Sequence, residues 1–160
     1  PEIFRECIKT KISLKIYQQC LPEQNKFLST FYKDLNINFE IFNFSNNITD
    51  YFTKTNLAIT RSGSSMLAEL INAKIPFISV PLPSSADDHQ LKNAIYYEKK
   101  GYSYLIKEKD LNTKLFQLIK KISADTSLLT QIKSKQRQYS DKSVYKNIDK
   151  QLNKMINEEN

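Results

Sequence analysis

The chain of 160 residues has few of the residue types that mark metal-binding, disulfide-rich or membrane-spanning proteins. No run of 18 apolar residues is present, which excludes a transmembrane helix, and no basic segment followed by an apolar one predicts a signal peptide. The two cysteines, Cys7 and Cys20, lack metal-ligand spacing, so we expect buried, reduced thiols in a cytosolic protein. The chain begins at Pro1 rather than methionine, and we expect it to be part of a longer protein.

The charge of the chain is unbalanced, with a formal net charge of +7 that is mostly lysine. A basic chain can bind nucleic acid or an anionic membrane surface. However, Lys, Asn, Ile and Tyr are abundant along the whole sequence, and no glycine–arginine tract or aromatic–basic RNA motif is present. We therefore expect no nucleic-acid partner.

Glycine occurs only twice, at positions 63 and 101. Gly63 lies in the stretch Asn56–Glu69, where a short apolar run at 57–60 is followed by a turn and then by a helical pattern. In a chain this poor in glycine, Gly63 indicates a turn with positive φ or a backbone that a ligand approaches closely. Gly101 follows a helical pattern and is expected to end that helix.

The residues after Gly63 suggest an anion site. Ser64 and Ser65 can cap a helix that begins at the carboxyl end of a parallel strand, where free N–H groups favour a phosphate. Glu69 lies four residues after Ser65 on the same side of that helix, a position from which a carboxylate can bind a ribose diol. The alternative is an ordinary turn followed by a surface glutamate.

Strand and helix patterns alternate five times along the first 125 residues, which predicts a doubly wound parallel α/β sheet. We expect residues 1–125 to form this domain and residues 126–160 to form a helical tail. The predicted strands lie at 14–20, 37–44, 57–60, 75–80 and 102–106, and the predicted helices at 2–10, 22–35, 48–54, 64–73, 87–100 and 113–122.

The tail has lysines at steps of four and an apolar stripe on the opposite side. This pattern indicates either a basic face for a membrane or phosphate-rich partner, or a solvated face on a packed helix. The lysines are Lys142, Lys146, Lys150 and Lys154, and the apolar residues are Val144, Ile148 and Leu152.

A second polar cluster follows the strand pattern at 75–80. His89, the only histidine, lies beside Gln90, and Asn93 shares the helix face of Gln90. Amides at the edge of a pocket suit sugar hydroxyls. The alternative is structural, with Asp87 as N-cap of a capping box that Gln90 completes and with a surface or hydrogen-bonded histidine.

Together these motifs resemble the carboxyl-terminal, donor-binding half of the bacterial peptidoglycan N-acetylglucosaminyltransferase family. The resemblance covers about residues 13–122, and the tail matches only in character. The segments that match are Phe44–Ile48, Arg61–Glu69, Val80-Pro81, Asp87–Gln90 and Asn93-Ala94.

The resemblance implies an inverting, UDP-N-acetylglucosamine-dependent transferase of the two-domain GT-B fold. In such an enzyme this half binds the donor, and the lipid-linked muramoyl-pentapeptide acceptor binds the other half at the cytoplasmic face of the bacterial inner membrane. No metal or other cofactor is implied, and the catalytic base is expected outside this chain. The UDP-sugar-binding residues that it implies are Phe44 and Ser45 for uracil; Gly63, Ser64, Ser65, Met66, Leu67 and Ala68 for diphosphate and ribose; Glu69 for the ribose hydroxyls; and His89, Gln90 and Asn93 for the sugar.

The resemblance also predicts a gap in the sheet. The family's half opens with a central strand and a glycine-rich loop that have no counterpart before Ile3. With the strand order of this fold class, segments 14–20 and 57–60 are then expected to flank an empty position rather than pair with each other. We expect a chain of these 160 residues to be poorly stable and inactive alone.

Two other functions stay open. One is a separately encoded nucleotide-sugar-binding subunit that needs a membrane partner, although such a subunit should carry its own first strand and glycine loop. The other is a plain phosphate- or RNA-binding α/β module, which rests on charge alone.

Overall fold

The computed structural model describes residues 2–45 and 47–139. Helices and strands alternate through most of this length, as the sequence predicts, and two helices follow the last strand. The helices are α1 (Glu2–Lys9), α2 (Asn25–Asp34), α3 (Thr49–Phe52), α4 (Ser64–Asn72), α5 (His89–Lys99), α6 (Leu111–Ala124) and α7 (Ser127–Arg137), and the strands are β1 (Lys15–Gln19), β2 (Asn38–Phe42), β3 (Ala58–Thr60), β4 (Phe77–Ser79) and β5 (Tyr104–Leu105).

The strands form two parallel sheets. β1 pairs with β2 along five residue pairs, whereas β3, β4 and β5 form a second sheet in that order. Within the described residues β1 and β3 belong to different sheets. The expectation that segments 14–20 and 57–60 do not pair with each other is therefore confirmed, as is the parallel α/β fold class.

The central strand β4 is buried on both faces. Phe77 packs with Leu67, Leu70 and Ile71 of α4 in one cluster. The next residue, Ile78, belongs to a second cluster on the other face. Because successive side chains of a strand point to opposite faces, a strand covered on both sides is mostly apolar, which explains the apolar pattern here, although the last residue of β4, Ser79, is a buried serine.

The helix α5 ends at Gly101 as predicted. Gly101 has φ +73°, and its N–H donates to the carbonyl of Glu98 at 2.8 Å. The N–H of Tyr102 donates to the carbonyl of Tyr97 at 3.0 Å. These two bonds form a Schellman motif, which needs a left-handed residue and so favours glycine.

The start of α5 differs from the prediction. Asp87 and Asp88 both have positive φ, at 47° and 54°, and no side chain caps the helix, which begins at His89. The capping box of Asp87 and Gln90 is therefore wrong. The capping box does not form because the side chain of Gln90 is hydrogen-bonded to the backbone of two loops instead.

The described part of the tail packs on the sheet. Gln136 of α7 is fully buried, and its Nε2 donates to the carbonyls of Ile75 and Tyr102, both at 2.9 Å. Ile132 of the same helix is also buried. The boundary at residue 125 stays a prediction, and the lysine and apolar stripes of residues 142–154 lie outside the described residues.

Both cysteines are free and buried, as expected. Burial raises the pKa of the Cys7 thiol, with a smaller contribution from the neighbouring Glu6 carboxylate. The thiol of Cys20 donates to Oδ1 of Asn25 at 3.1 Å. These two side chains therefore have a packing role in the fold.

Candidate functional site

The amino terminus of α4 presents unpaired backbone donors. Its first intrahelical hydrogen bond runs from the N–H of Leu67 to the carbonyl of Gly63, at 3.1 Å. The N–H groups of Ser64, Ser65 and Met66 precede that bond and have no acceptor within the helix. No side chain caps the helix, so the expectation that Ser64 and Ser65 cap it is wrong.

Gly63 is the N-cap residue and has an extended backbone, with φ −65° and ψ 136°. The positive φ that the sequence allowed is therefore absent. A Cβ built on Gly63 meets no atom within 4 Å, so open space lies in front of the turn. The other interpretation of this glycine, a backbone that a ligand approaches closely, stays a prediction.

The two glycines are expected to respond differently to alanine. Gly101→Ala should lower the free energy of unfolding by about 1 kcal/mol, because alanine is strained at positive φ. Gly63→Ala should change it by no more than about 0.5 kcal/mol, because the lost freedom of the unfolded chain offsets a slightly poorer N-cap. Urea unfolding of the two variants measures both changes. Equal losses in the free energy of unfolding would contradict the different backbone roles assigned to Gly63 and Gly101.

Two amide side chains of α5 bind the β3–α4 turn, and one of them also binds the β4–α5 loop. Oε1 of Gln90 accepts hydrogen bonds from the N–H of Ser62 at 3.1 Å and from that of Leu82 at 3.0 Å. Nδ2 of Asn93 donates to the carbonyl of Ser62 at 3.1 Å. The structure thus brings the turn before α4 and the start of α5 together at the carboxyl edge of the sheet.

His89 has a structural hydrogen bond. Its Nδ1 lies 2.8 Å from the carbonyl of Ala86, which requires a proton on Nδ1. The bond holds the ring against the loop that precedes α5. The ring is exposed, and its other nitrogen, Nε2, takes no part in this bond. The structural alternative for this histidine is thereby supported, and its contact with a sugar stays a prediction.

An ion pair joins the ends of the three strands of the larger sheet. Nη1 of Arg61, directly after β3, lies 2.5 Å from Oε2 of Glu108 and 3.4 Å from the carbonyl oxygen of Val80. Both side chains are about half exposed, so solvent screens the attraction and the pair contributes little to stability. Its effect is geometric, since it ties the turn before α4 to the segment after β5.

Other predicted site residues lie apart from this cluster or point into the core. Glu69 is exposed on α4, whereas the Leu67 side chain is fully buried in the core. Phe44 is 77% exposed and follows β2 in the other sheet, and the hydroxyl of the next residue, Ser45, accepts a hydrogen bond from the N–H of Asn47. No hydrogen bond between described residues links Phe44 or Ser45 to Gln90.

A cleft of about 300 Å³ adjoins the amide cluster. Proline and leucine form half of its lining, and charged residues form the other half. The lining residues are Pro81, Leu82, Pro83, Asp88, Leu91, Lys107, Glu108 and Lys109.

The described residues contain neither a candidate metal site nor a candidate membrane span. No group of three or more His, Cys, Asp or Glu side chains in the described ranges is arranged to hold a metal ion. In the same part of the chain, no helix is both long and apolar enough to cross a membrane.

The sequence did not single out four of the contacts that build this edge. Ser62 is fully buried, and both of its backbone polar groups are bound by amides of α5. Leu82 contributes only its N–H, which no sequence pattern marks. Arg61 and Glu108 are 47 residues apart, and no local signal pairs them.

The described residues form a parallel α/β domain in which α4 begins without a side-chain cap, at the carboxyl edge of the strands. Domains of this fold class place the phosphate groups of their ligands at that edge. The family model described as "Glycosyltransferase family 28 C-terminal domain" matches residues 4–152. The chain belongs to this family.

Two relatives share the name UDP-N-acetylglucosamine–N-acetylmuramyl-(pentapeptide) pyrophosphoryl-undecaprenol N-acetylglucosamine transferase. The Pelagibacter ubique protein is 34% identical over 98% of this chain and 46% of its own length. The Rickettsia bellii protein is 34% identical over 79% of this chain and 38% of its own length. The chain therefore spans less than half the length of these relatives.

A solved structure is also similar. The crystal structure of Acinetobacter baumannii MurG matches with a TM-score of 0.71 and 25% identity, over 80% of this chain and 38% of that one. This match supports the GT-B carboxyl-terminal fold that the resemblance implied.

Proposed function

We propose that this chain is the donor-binding half of an enzyme that transfers N-acetylglucosamine from UDP-N-acetylglucosamine to a lipid-linked muramoyl-pentapeptide. The observation that carries the proposal is the uncapped amino terminus of α4 beside the Gln90–Asn93 amide cluster, in a chain of this family. The name of the Pelagibacter ubique relative supports the choice of donor and acceptor.

The diphosphate is assigned to the turn at Gly63. The N–H groups of Ser64, Ser65 and Met66 are available as donors, and the positive end of the helix dipole favours an anion there. When the bond between the sugar C1 and the diphosphate oxygen breaks, negative charge builds up on that oxygen. The same donors then stabilise the departing UDP without a metal.

The ribose and uracil are assigned to two separate elements. Glu69 is exposed about one turn into α4, where its carboxylate can accept hydrogen bonds from both ribose hydroxyls. Uracil is assigned to the backbone of Phe44 and Ser45, after β2. Leu67 and Ala68, the remaining predicted residues of α4, have apolar side chains, and that of Leu67 is buried. Their side chains therefore support the helix and offer no polar group to the ligand.

The sugar is assigned to His89, Gln90 and Asn93 at the start of α5. The acceptor's C4 hydroxyl attacks the sugar C1 from the side opposite the departing UDP, which inverts the configuration at that carbon. The acceptor site, the catalytic base and peripheral binding to the cytoplasmic face of the membrane are proposed for the whole protein.

The alternative of a nucleotide-sugar-binding subunit with a membrane partner shares this donor site. It differs in what completes the protein, so the acceptor distinguishes the two functions. A single full-length protein that transfers the sugar to a lipid-linked muramoyl acceptor supports the first proposal. A requirement for a second subunit supports the alternative.

Calorimetric titration of the full-length protein tests the donor site. We expect UDP and UDP-N-acetylglucosamine to bind and a short single-stranded RNA not to compete with them. Gly63→Ala should weaken both ligands at least tenfold, because the added methyl group occupies the open space in front of the turn. Unchanged affinity in a folded Gly63→Ala variant would contradict the close approach of the diphosphate.

A further inference from the structure

The cleft of about 300 Å³ lies directly beside the proposed sugar site. Asp88, which lines the cleft, directly precedes His89. Leu91, which also lines it, directly follows Gln90. A third lining residue, Leu82, donates its N–H to Oε1 of Gln90 at 3.0 Å. A molecule that approaches the sugar along this part of the edge therefore meets the cleft.

Two lysines of the cleft can bind an anionic ligand. Lys107 and Lys109 follow β5, are exposed, and take no part in the ion pairs of the described residues. Glu108 lies between them in the sequence, and its carboxylate is paired with Arg61. Asp88 adds one exposed carboxylate from the β4–α5 loop. The cleft therefore offers two cations and one anion besides the ion pair.

The cleft also offers apolar surface for short alkyl groups. Two of its lining residues, Pro81 and Pro83, have a fixed φ and no N–H, so they form a rigid apolar wall. Leu82 between them keeps 37% of its surface exposed. The cleft volume is at the lower end of the range for ligand sites, about 300–1,000 Å³, so it fits a part of a peptide rather than a long chain.

The chemistry of the proposed acceptor indicates which of its groups meets the cleft. In a muramoyl group the attacking C4 hydroxyl is next to C3, and C3 carries the peptide through a lactyl ether. The lipid diphosphate is attached at C1, on the opposite side of the same ring. When the C4 hydroxyl faces the bound donor sugar, the peptide therefore begins nearer to that sugar than the diphosphate does.

We propose that the cleft binds a part of the acceptor's peptide, with the proline wall against its alkyl groups and with Lys107 and Lys109 paired to its carboxylates. The inference rests on the proposed function and adds to it that the donor-binding half also recognises the acceptor. The carboxylate of Asp88 would repel a diphosphate, whereas a peptide can turn an amide N–H towards it. The mixed charge of the cleft therefore favours a peptide over the lipid diphosphate.

The experiment measures kcat and KM of the full-length protein with UDP-N-acetylglucosamine and two short-chain lipid-linked acceptors, a muramoyl-pentapeptide and a muramoyl group without peptide. In the double variant Lys107→Met/Lys109→Met, KM for the pentapeptide acceptor should rise about fivefold, as expected for the loss of two solvent-exposed ion pairs. KM for the peptide-free acceptor and for UDP-N-acetylglucosamine should stay within about twofold of the parent. The matched control, Lys120→Met/Lys121→Met, removes the same charge from exposed positions near the end of α6 and should behave as the parent with both acceptors.

A modified acceptor makes the test specific to the lysines. Amidation of the peptide's carboxylates should raise KM of the parent by a factor similar to that of the double substitution. It should leave KM of the double variant unchanged, because the lysines that would pair with those carboxylates are already absent. This comparison is a double-mutant cycle between protein and ligand, which isolates the pairing of lysine with carboxylate.

A double variant with the parent's KM for the pentapeptide acceptor overturns the inference. An equal rise of KM for the peptide-free acceptor also overturns it, because the lysines would then bind the lipid diphosphate. An equal rise of KM for UDP-N-acetylglucosamine would assign the lysines to the donor site, which contradicts the inference as well. A parent that transfers the sugar to neither acceptor overturns the proposed function, so the two failures are distinguishable.

Discussion

Replacing Glu69 by alanine is expected to lower the affinity of the full-length protein for UDP at least tenfold. Each hydrogen bond between the carboxylate and a ribose hydroxyl is charge-assisted and contributes about 1.5–3 kcal/mol. Among the ion pairs of the described residues Glu69 takes no part, so its substitution removes no such pair from the fold. Calorimetric titration with UDP measures the loss.

A modified ligand makes this test specific to the diol. Removing the 2′ hydroxyl of UDP should weaken binding to the parent, whereas Glu69→Ala should bind UDP and 2′-deoxy-UDP about equally. Asp34→Ala is the matched control, because it removes an exposed carboxylate at the end of α2, away from the carboxyl edge of the sheet. If Glu69→Ala binds UDP within a factor of two of the parent, the assignment of Glu69 to the ribose hydroxyls is wrong.

The second large effect concerns stability. Gln136→Met is expected to lower the free energy of unfolding by about 2–4 kcal/mol, because it takes the hydrogen-bond donor away from two carbonyls at once, and each loss costs about 1–3 kcal/mol. Those carbonyls belong to Ile75 and Tyr102, which precede β4 and β5. Gln136 therefore joins α7 to the amino ends of both strands, at the edge opposite the candidate site.

The same helix supplies the control for this prediction. Gln131 is exposed, so Gln131→Met should change the free energy of unfolding by no more than about 0.5 kcal/mol. Urea unfolding of both variants, followed by circular dichroism, gives the comparison. Equal stability of Gln136→Met and Gln131→Met would show that α7 is not part of the cooperative unit, as expected of a separate tail.

The separation of the strands into two sheets affects the stability that we expect of the chain. β1 and β3 each have one ladder partner in the described part of the chain, so each leaves one edge without a neighbouring strand. Open strand edges carry unpaired N–H and C=O groups and favour association. The expectation that these 160 residues are poorly stable and inactive alone stays a prediction.

The elements that the sequence predicts well are those with local causes. The apolar run around Phe77 and Ile78 predicted a buried strand, because a strand with two covered faces is rich in apolar side chains at successive positions. Gly101 predicted the end of α5, because the left-handed residue of a Schellman motif is set by bonds within six residues. The start of α4 after Gly63 followed from the same kind of signal.

The predictions that failed were also local, and in one of them a distant partner decided the outcome. The spacing of Asp87 and Gln90 fits a capping box, yet Gln90 binds the backbone of Ser62, 28 residues away, and the helix starts without a side-chain cap. The expected caps Ser64 and Ser65 likewise gave way to Gly63 as the N-cap residue. Short-range patterns indicate which hydrogen bonds a side chain can make, whereas tertiary packing determines which of them form.

The sequence by itself determined the fold class, the order of strands and helices, and the two polar clusters at the carboxyl ends of β3 and β4. Hydrophobic periodicity and glycine placement act over one or two helical turns, which is why they can be read along the chain. Only the tertiary structure decided that Gln90 and Asn93 are hydrogen-bonded to the backbone of Ser62. The same holds for the hydrogen bond of Gln136 to the carbonyl of Ile75, 61 residues away. Buried backbone groups must find hydrogen-bond partners, and which side chain lies within reach is known only after the helices have packed on the sheet.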